Sequence, residues 1–348
     1  MNKIVIADIC SLNRNGKTSG HYFPVAQNYL KMFSNKCIVA GGPIYKSQFT
    51  KHLMQLPYDH IYNEKKWITK WHEIINCKTL FKQAKGNIIV MQSVAILTTF
   101  IALLLFYKKN NSKLFLIQYY DECINSFWKR LLYNLIKNKI NGIICSSDNV
   151  GKKFNRPYIV VTDYIYTDDI NTINKLPYEK RVYDYSLVGG IYKDKGQLEA
   201  IKHLANKGLK ILIAGQVREE GILEELNKVA KEDPSIEMKI GYVTNDEYHR
   251  YIRQSKYCIL NYSGTYNERS SGVVLDILFN GTPVIGNACK ALSLIKQKDL
   301  GFIYNGIDNF NPYRILDKEL YTKYQNNIYR YLESQKKEIS RLYNFLTL

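Results

Sequence analysis

The chain has 348 residues, more than one hydrophobic core usually supports, and 46% of them are hydrophobic, which favours two globular domains. The seven cysteines are scattered without a C-x-x-C pair, which excludes a disulfide-stapled scaffold and indicates reduced thiols of a cytosolic protein. The formal charge is +18, and residues 1–165 hold 23 Lys and Arg against 8 Asp and Glu. Such a basic half indicates an acidic partner, with plain solubility as the alternative.

In the first half, short apolar runs alternate with helical patterns. The opening MNKIVIADIC leads directly into a strand pattern and shows no secretion-signal layout. The predicted strands are residues 3–9, 36–40, 87–92, 113–118 and 142–146, and the predicted helices are residues 22–33 and 94–107. The uncharged run 88–106 is long enough to span a membrane, but polar residues divide it into a strand and a helix. We favour the buried pair, with a membrane-dipping helix as the alternative.

Residues 163–185 lack periodicity and predict a linker, after which the alternation starts again. The predicted strands are residues 185–188, 210–214, 237–240, 257–261 and 283–286, and the predicted helices are residues 195–207, 219–231, 246–254, 271–279 and 313–348. Strands separated by helices predict parallel sheets with crossover connections. The expected fold class is α/β, with two doubly wound Rossmann-like domains facing a cleft. Their expected bounds are 1–165 and 166–325, and residues 326–348 form a C-terminal helix that packs back on the first domain.

The segment 266–286 carries the strongest functional signal. Glu268 ends a loop, and the small residues Ser270, Ser271 and Gly272 open a helix whose free amides and dipole suit a phosphate. Asp276 follows eight residues after Glu268, where a carboxylate can accept hydrogen bonds from vicinal hydroxyls such as those of ribose. An ordinary capped helix would explain the small residues but not the two acids.

This segment resembles the retaining glycosyltransferases of family 4, whose pattern is E-x7-E followed by G-[TV]-P-V-[IV]. Here Glu268 and Asp276 stand at that spacing before Gly-Thr-Pro-Val-Ile at 281–285, with Asp as the second acid. The resemblance implies a GT-B fold, a C-terminal domain that binds a nucleoside-diphosphate sugar, and an N-terminal domain that binds the acceptor. It also implies that Glu268 contacts the transferred sugar and that Asp276 contacts the ribose. The other donor-binding residues implied in this segment are Arg269, Ser270, Ser271 and Gly272.

A second match lies upstream, where residues 187–196 resemble the family's V-G-R-L-x-x-x-K-G. The resemblance makes Lys195 the catalytic cation that neutralises the leaving diphosphate, whereas alone it would be interpreted as a solvated surface lysine. Gly190 stands where the family usually has arginine. Either Lys193 replaces that arginine, or the enzyme is slower, or the donor is held differently.

Weaker matches complete the implied site. They are Gly215 at a strand end, Tyr242 and Val243 in a turn beside the base, and Gly20 in a loop, residues 13–20, that closes over the donor phosphate. Tyr120 and Asp121 replace the family's His-Asp, so Asp121 orients a sugar hydroxyl or the acceptor, or only caps a helix. No D-x-D pair occurs, which predicts transfer without a metal or another cofactor besides the nucleotide-sugar co-substrate.

Residues 63–85 interleave lysines with Trp67, Trp71 and Phe81. Such a basic aromatic helix suits an anionic lipid surface, with a normally packed helix as the equal alternative. The expectation is a cytoplasmic protein, peripheral on the inner face of the cell membrane. Its partners would be a nucleotide-sugar donor and a glycolipid or saccharide acceptor, namely a lipid-linked precursor of a bacterial surface polysaccharide.

Three other classes of protein share some of these sequence features. Ser11-x4-Gly16-Lys17-Thr18 is one substitution from a P-loop, but the predicted helix begins too late for one. The charge suggests nucleic acid, but no recognised binding motif occurs, so no nucleic-acid partner is expected. A sugar-nucleotide epimerase on the same fold is the closest alternative.

Overall fold

The computed structural model describes residues 2–19, 22–92, 97–109, 112–119, 124–173, 176–267 and 271–348. The chain forms two compact units: a first unit of Met1–Thr167 with Lys336–Leu348, and a second unit of Asp168–Gln335. The strands of the first unit are β1 (Ile4–Ala7), β2 (Leu12–Arg14), β3 (Lys17–Ser19), β4 (Cys37–Gly41), β5 (Leu53–Gln55), β6 (His60–Ile61), β7 (Ile88–Met91), β8 (Lys113–Gln118), β9 (Gly142–Cys145) and β10 (Tyr158–Val160). Its helices are α1 (Tyr22–Phe33), α2 (Lys46–Phe49), α3 (Lys66–Gln83), α4 (Leu97–Phe106), α5 (Phe127–Ile136) and α6 (Asp148–Lys153).

Over the described residues, seven strands of the first unit form one parallel sheet in the order β10-β9-β8-β7-β1-β4-β5. The inner strands are apolar on both faces because helices cover each side, as parallel sheets require. From β1 the chain first adds β4 and β5 on one side of the sheet. It then returns and adds β7, β8, β9 and β10 on the other side of β1. The strand order therefore reverses between β1 and β7, which is where doubly wound sheets bind ligands.

Residues 12–19 form a β-hairpin and not the open loop expected from the sequence. Strands β2 and β3 pair antiparallel, and β6 adds in parallel to β2. Asn15 and Gly16 both have positive φ, 53° and 77°, as a tight two-residue hairpin turn requires. The Asn-Gly pair is a local signal for this turn that the sequence interpretation overlooked. Because Lys17 and Thr18 lie in a strand, the P-loop alternative fails.

The second unit repeats the doubly wound plan. Its strands are β11 (Tyr183–Val188), β12 (Ile211–Gly215), β13 (Ile236–Ile240), β14 (Ser255–Leu260), β15 (Val284–Asn287) and β16 (Gly301–Tyr304). Its helices are α7 (Gln197–Leu204), α8 (Ile222–Glu232), α9 (Asn245–Arg253), α10 (Gly272–Phe279), α11 (Ser293–Lys298) and α12 (Pro312–Ile315). The described strands are all parallel, in the order β13-β12-β11-β14-β15-β16, so this sheet reverses between β11 and β14. The prediction of two doubly wound α/β domains is confirmed.

The last helix, α13 (Lys318–Thr347), contributes to both units. Tyr321 and Tyr324 lie in the core of the second unit. Leu342 and Leu346 are fully buried in the core of the first unit, and Lys113 donates to the carbonyl oxygen of Thr347 at 2.6 Å. None of the helices in the described ranges is long and apolar enough to cross a membrane. The helix predicted over 94–107 is described from Leu97, and it ends at Phe106.

Candidate active site

The second unit places Lys195 at the point where its strand order reverses. Strand β11 ends at Val188 and is followed by Gly189-Gly190. A short 3-10 turn at Lys193–Lys195 comes next, and α7 begins after Gly196. Gly196 has φ 60°, and a Cβ there would lie 2.2 Å from the carbonyl oxygen of Asn261, just past β14. The Asn261 amide in turn donates to the Gly196 carbonyl at 3.1 Å. This glycine therefore fixes the lysine-bearing turn against the neighbouring strand end.

Lys195 is a buried lysine, with 6% of its surface exposed. Its ammonium lies 5.4 Å from the centre of the Tyr192 ring, and a Cβ on Gly189 would be 3.2 Å from its Nζ. Lysines are rarely buried unless their charge is paired, because removing an ammonium from water is costly. The interpretation of Lys195 as a solvated surface residue is therefore wrong.

The loop before residue 268 is held to the lysine-bearing turn. The Asp194 carboxylate accepts from the Thr265 hydroxyl at 2.8 Å and from the Thr265 backbone N–H at 3.3 Å. The Ser263 N–H donates to the Asp194 carbonyl oxygen at 2.9 Å. Asp194 is thus a positioning residue that connects this loop to Lys195.

Aromatic residues order the start of α10 from the same loop. Tyr262 and Tyr266 stack with ring centres 4.0 Å apart, and the hydroxyls of Tyr266 and Tyr192 lie 2.6 Å apart. The buried Tyr262 hydroxyl is 2.9 Å from the Ser271 Oγ. Ser271 stands at the N-cap of α10, and its hydroxyl caps no backbone N–H among the described residues of the helix. The dipole at this helix start suits an anion. Gly272, the first residue of α10, adds no side chain there.

Asp276 lies in the second turn of α10, within range of the charge of Lys195. Burial raises the pKa of its carboxyl to about 6, while the Tyr248 hydroxyl and the Lys195 ammonium lower it. Tyr248 donates to Oδ2 of Asp276 at 3.4 Å. At pH 7 the carboxyl is mostly ionised, and it can accept hydrogen bonds from ligand hydroxyls.

Arg218 occupies the space over Gly190, which sequence reasoning missed. An added Cβ on Gly190 would lie 3.1 Å from the Nε and 3.3 Å from the Cζ of Arg218. The pairing of Ile191 with Val217 brings the two segments together, and the Arg218 N–H donates to the Ile191 carbonyl at 2.9 Å. Lys193 is exposed. The cation beside Gly190 is therefore Arg218, and no local sequence signal could have shown it.

The remaining predicted site residues fall into two groups. Gly215 ends β12 beside Gly189, and Gly241 donates its N–H to the Gly215 carbonyl at 3.0 Å, which places the Gly241–Val243 turn at the same sheet edge. Tyr242 is 78% exposed there, and Val243 is half-buried. The other predicted residues lie outside the described residues, and they are Gly20, Tyr120, Asp121, Glu268, Arg269 and Ser270.

The second unit thus gathers, at one sheet edge, two cations, a helix start and a carboxylate. Several solved structures with the same fold are glycosyltransferases of the GT-B class, in which two Rossmann-like domains make up the chain. HepE from Anabaena, in complex with UDP and glucose, matches with a TM-score of 0.65 and 12% identity over 99% of this chain and 100% of its own. A glycosyltransferase from Rickettsia africae matches at 0.69 and 15% over 99% of each chain.

Sucrose-phosphate synthase from Thermosynechococcus elongatus matches at 0.68 and 14% over 100% of this chain and 99% of its own. At these identities the likeness establishes the fold. No protein-family model and no curated protein matches the chain.

Proposed function

We propose that the protein is a glycosyltransferase that moves a sugar from a nucleoside diphosphate to an acceptor hydroxyl, with retention of configuration. The observation that carries this proposal is the burial of Lys195 at the strand-order reversal of the second unit, close enough to Asp276 to lower the pKa of its carboxyl. A binding role alone would be met by a surface lysine. A desolvated cation lowers the barrier for a step in which negative charge grows, such as the departure of a diphosphate.

The proposed chemistry needs few groups. The bond between the sugar C1 and the diphosphate oxygen breaks, a new C1–O bond forms to the acceptor, and the acceptor proton passes to the departing phosphate oxygen. Lys195, Arg218 and the amides at the start of α10 stabilise the growing charge, which would make a divalent cation at the diphosphate unnecessary. Glu268 contacts the transferred sugar, and Asp276 accepts from the ribose hydroxyls.

UDP is the proposed nucleotide because the similar HepE was solved with UDP and glucose. We expect UDP and one UDP-sugar to raise the melting temperature of the full chain by several degrees, since a ligand at 100 times its Kd adds about 2.7 kcal/mol of stability. GDP and dTDP at equal concentration are the matched controls. A thermal-shift series checks this, and equal shifts with all three nucleotides would contradict a selective donor site.

An acceptor assay separates the transferase from the epimerase. The transferase releases UDP only when an acceptor hydroxyl is present, whereas an epimerase converts the sugar nucleotide alone. Formation of an altered sugar nucleotide without acceptor would replace the proposed function by the alternative.

A lipid-linked acceptor fits an exposed apolar surface on the first unit, which we call the aromatic face. On α5, Phe127 is 72% and Trp128 69% exposed, and Leu131 and Leu135 continue the same side of the helix. On α3, Trp67 is 68% and Trp71 59% exposed. Helices α3 and α5 both contact α4, so these side chains lie on one side of the sheet. The sequence interpretation found the α3 residues but overlooked α5, whose spacing i, i+1, i+4 and i+8 was a readable signal.

Lysines and arginines accompany the aromatic face, including Lys66 and Lys70 on α3 and Lys129 and Arg130 on α5. Aromatic rings at the interface together with basic groups at the headgroups are the features of a peripheral membrane surface. We therefore propose an anionic membrane on the cytoplasmic side as the place of transfer.

We expect the double variant Phe127→Ser with Trp128→Ser to bind anionic phospholipid vesicles at least about tenfold more weakly, because each buried aromatic side chain contributes about 1.5–3 kcal/mol. Co-sedimentation with phosphatidylglycerol vesicles measures this. The control is Leu223→Ser, which removes an exposed apolar side chain from α8 of the second unit. Unchanged binding by the double variant would exclude α5 from the membrane contact.

A further inference from the structure

Three side chains of types that can serve as metal ligands meet in the first unit, at its strand-order reversal. Cys10 lies three residues past the end of β1, His60 begins β6, and Glu73 lies on α3. One ligand atom from each lies within 4.8 Å of the other two. The Cys10 Sγ donates to Oε1 of Glu73 at 3.7 Å. These residues are 63 positions apart in the chain at most, so the fold alone brings them together.

Glu73 is the unusual member of this group because it is only 5% exposed. Among the described residues, its carboxylate accepts hydrogen bonds from the Thr98 hydroxyl at 2.5 Å and from the Cys10 thiol at 3.7 Å. No lysine or arginine in the described ranges forms an ion pair with it. A buried carboxylate is costly unless a cation compensates it, and a bound metal ion is one such cation.

We propose that Cys10, His60 and Glu73 bind a divalent transition-metal ion, of which Zn²⁺ is the best fit. Thiolate, imidazole and carboxylate are all zinc ligands, whereas Mg²⁺ and Ca²⁺ prefer oxygen alone. The Cys10 thiol binds as the thiolate and releases its proton to solvent. Bond lengths of about 2.0–2.3 Å require the three ligand atoms to move together by roughly 1 Å. Cys10 and His60 are half-buried, so one side of the site is open to water or a ligand oxygen.

Neighbouring groups hold the ligands near this geometry. The backbone N–H of Cys10 donates to the Asp8 carboxylate at 2.9 Å, and the backbone N–H of His60 donates to the Ser11 carbonyl oxygen at 2.9 Å. Thr98 fixes the second oxygen of Glu73. Such outer contacts orient metal ligands before the ion arrives.

The metal site consists of first-unit residues alone, and the proposed diphosphate chemistry uses second-unit residues alone. Metal binding can therefore be tested without a glycosyl-transfer assay, and its failure leaves the donor site untouched. A bound ion would connect three separate stretches of chain: the loop after β1, the three-stranded sheet of β3, β2 and β6, and α3.

The experiment uses the full chain after removal of metal by chelator dialysis, with Co²⁺ as the spectroscopic probe and Zn²⁺ as its competitor. We expect one Co²⁺ per chain, with thiolate-to-cobalt charge-transfer absorption that Zn²⁺ abolishes, and a Zn²⁺-dependent rise in Tm. Cys10→Ser should remove the charge-transfer band, and His60→Ala should weaken binding at least about 100-fold.

The matched controls are Cys289→Ser and His52→Ala, which remove a half-buried thiol and a half-buried imidazole elsewhere. Both controls should bind as the unaltered chain does. Circular dichroism of the metal-free variants shows whether each one folds. If Cys10→Ser does not fold, His60→Ala still tests the site, because the His60 ring is only half-buried and its loss disturbs the packing less. The proposal would be overturned if the unaltered chain bound no stoichiometric metal. It would also be overturned if Cys10→Ser and His60→Ala both bound metal as tightly as the unaltered chain.

Discussion

Lys195→Met is expected to lower kcat about 100- to 1,000-fold while KM for the donor changes little. The ammonium is buried at the sheet edge. In the proposed reaction its largest effect falls where charge develops on the leaving diphosphate. Loss of one fixed electrostatic group of this kind costs roughly 2.7–4 kcal/mol in the transition state. Methionine keeps most of the side-chain volume beside Gly189, so the change removes charge and leaves the packing. Release of UDP at saturating donor and acceptor measures kcat.

The control for this variant is Lys231→Met, an exposed lysine on α8. It removes the same charge from the same unit and should leave kcat within about twofold, because exposed charges are screened by solvent. The melting temperatures of both variants should stay close to that of the unaltered protein. If Lys195→Met retained full kcat, the assignment of Lys195 to the leaving group would be wrong.

Gly215→Ala is expected to lower the stability of the second unit by about 3 kcal/mol, a fall in Tm of about 6–12 °C. Gly215 has φ 150°, and an added Cβ would lie 1.9 Å from the carbonyl oxygen of Gly189. The methyl group therefore pushes apart the ends of β11 and β12, which carry Lys195 and Arg218. We expect donor binding to weaken together with stability. Calorimetry and nucleotide titration measure the two effects.

Gly208→Ala separates the clash from backbone strain. Gly208 also has positive φ, 64°, but no atom lies within 4 Å of an added Cβ. Its substitution should cost only the strain of a left-handed residue, about 1 kcal/mol, and should leave nucleotide binding unchanged. Equal losses in the two variants would show that the close approach of Gly189 and Gly215 is unimportant.

Arg218 illustrates why a motif comparison is incomplete when it is made position by position. The expected arginine is absent at Gly190, yet a guanidinium from another loop lies over that glycine. The absence of a side chain at 190 is what makes room for it. In the proposed site, the charge that the family pattern places at position 190 therefore comes from a different position in the sequence.

The sequence by itself determined the α/β class and the restart of the strand and helix pattern after residues 163–185. It also determined that Lys195 and Asp276 belong to the same half of the chain, in two motifs that follow each other. Apolar runs and helical periodicity are local properties, so they can be read without knowing the partners of each element. The apolar spacing on α5 and the Asn15-Gly16 turn are equally local signals, but neither was among the expectations drawn from the sequence.

Only the tertiary structure decided which of these residues meet. Burial of Lys195 depends on β14 lying next to β11, and the Arg218 position depends on the pairing of residues 191 and 217. The meeting of Cys10, His60 and Glu73 depends on the pairing of β2 with β6 and on the packing of α3. Strand order and crossover packing are properties of the whole sheet, and no stretch of sequence contains them.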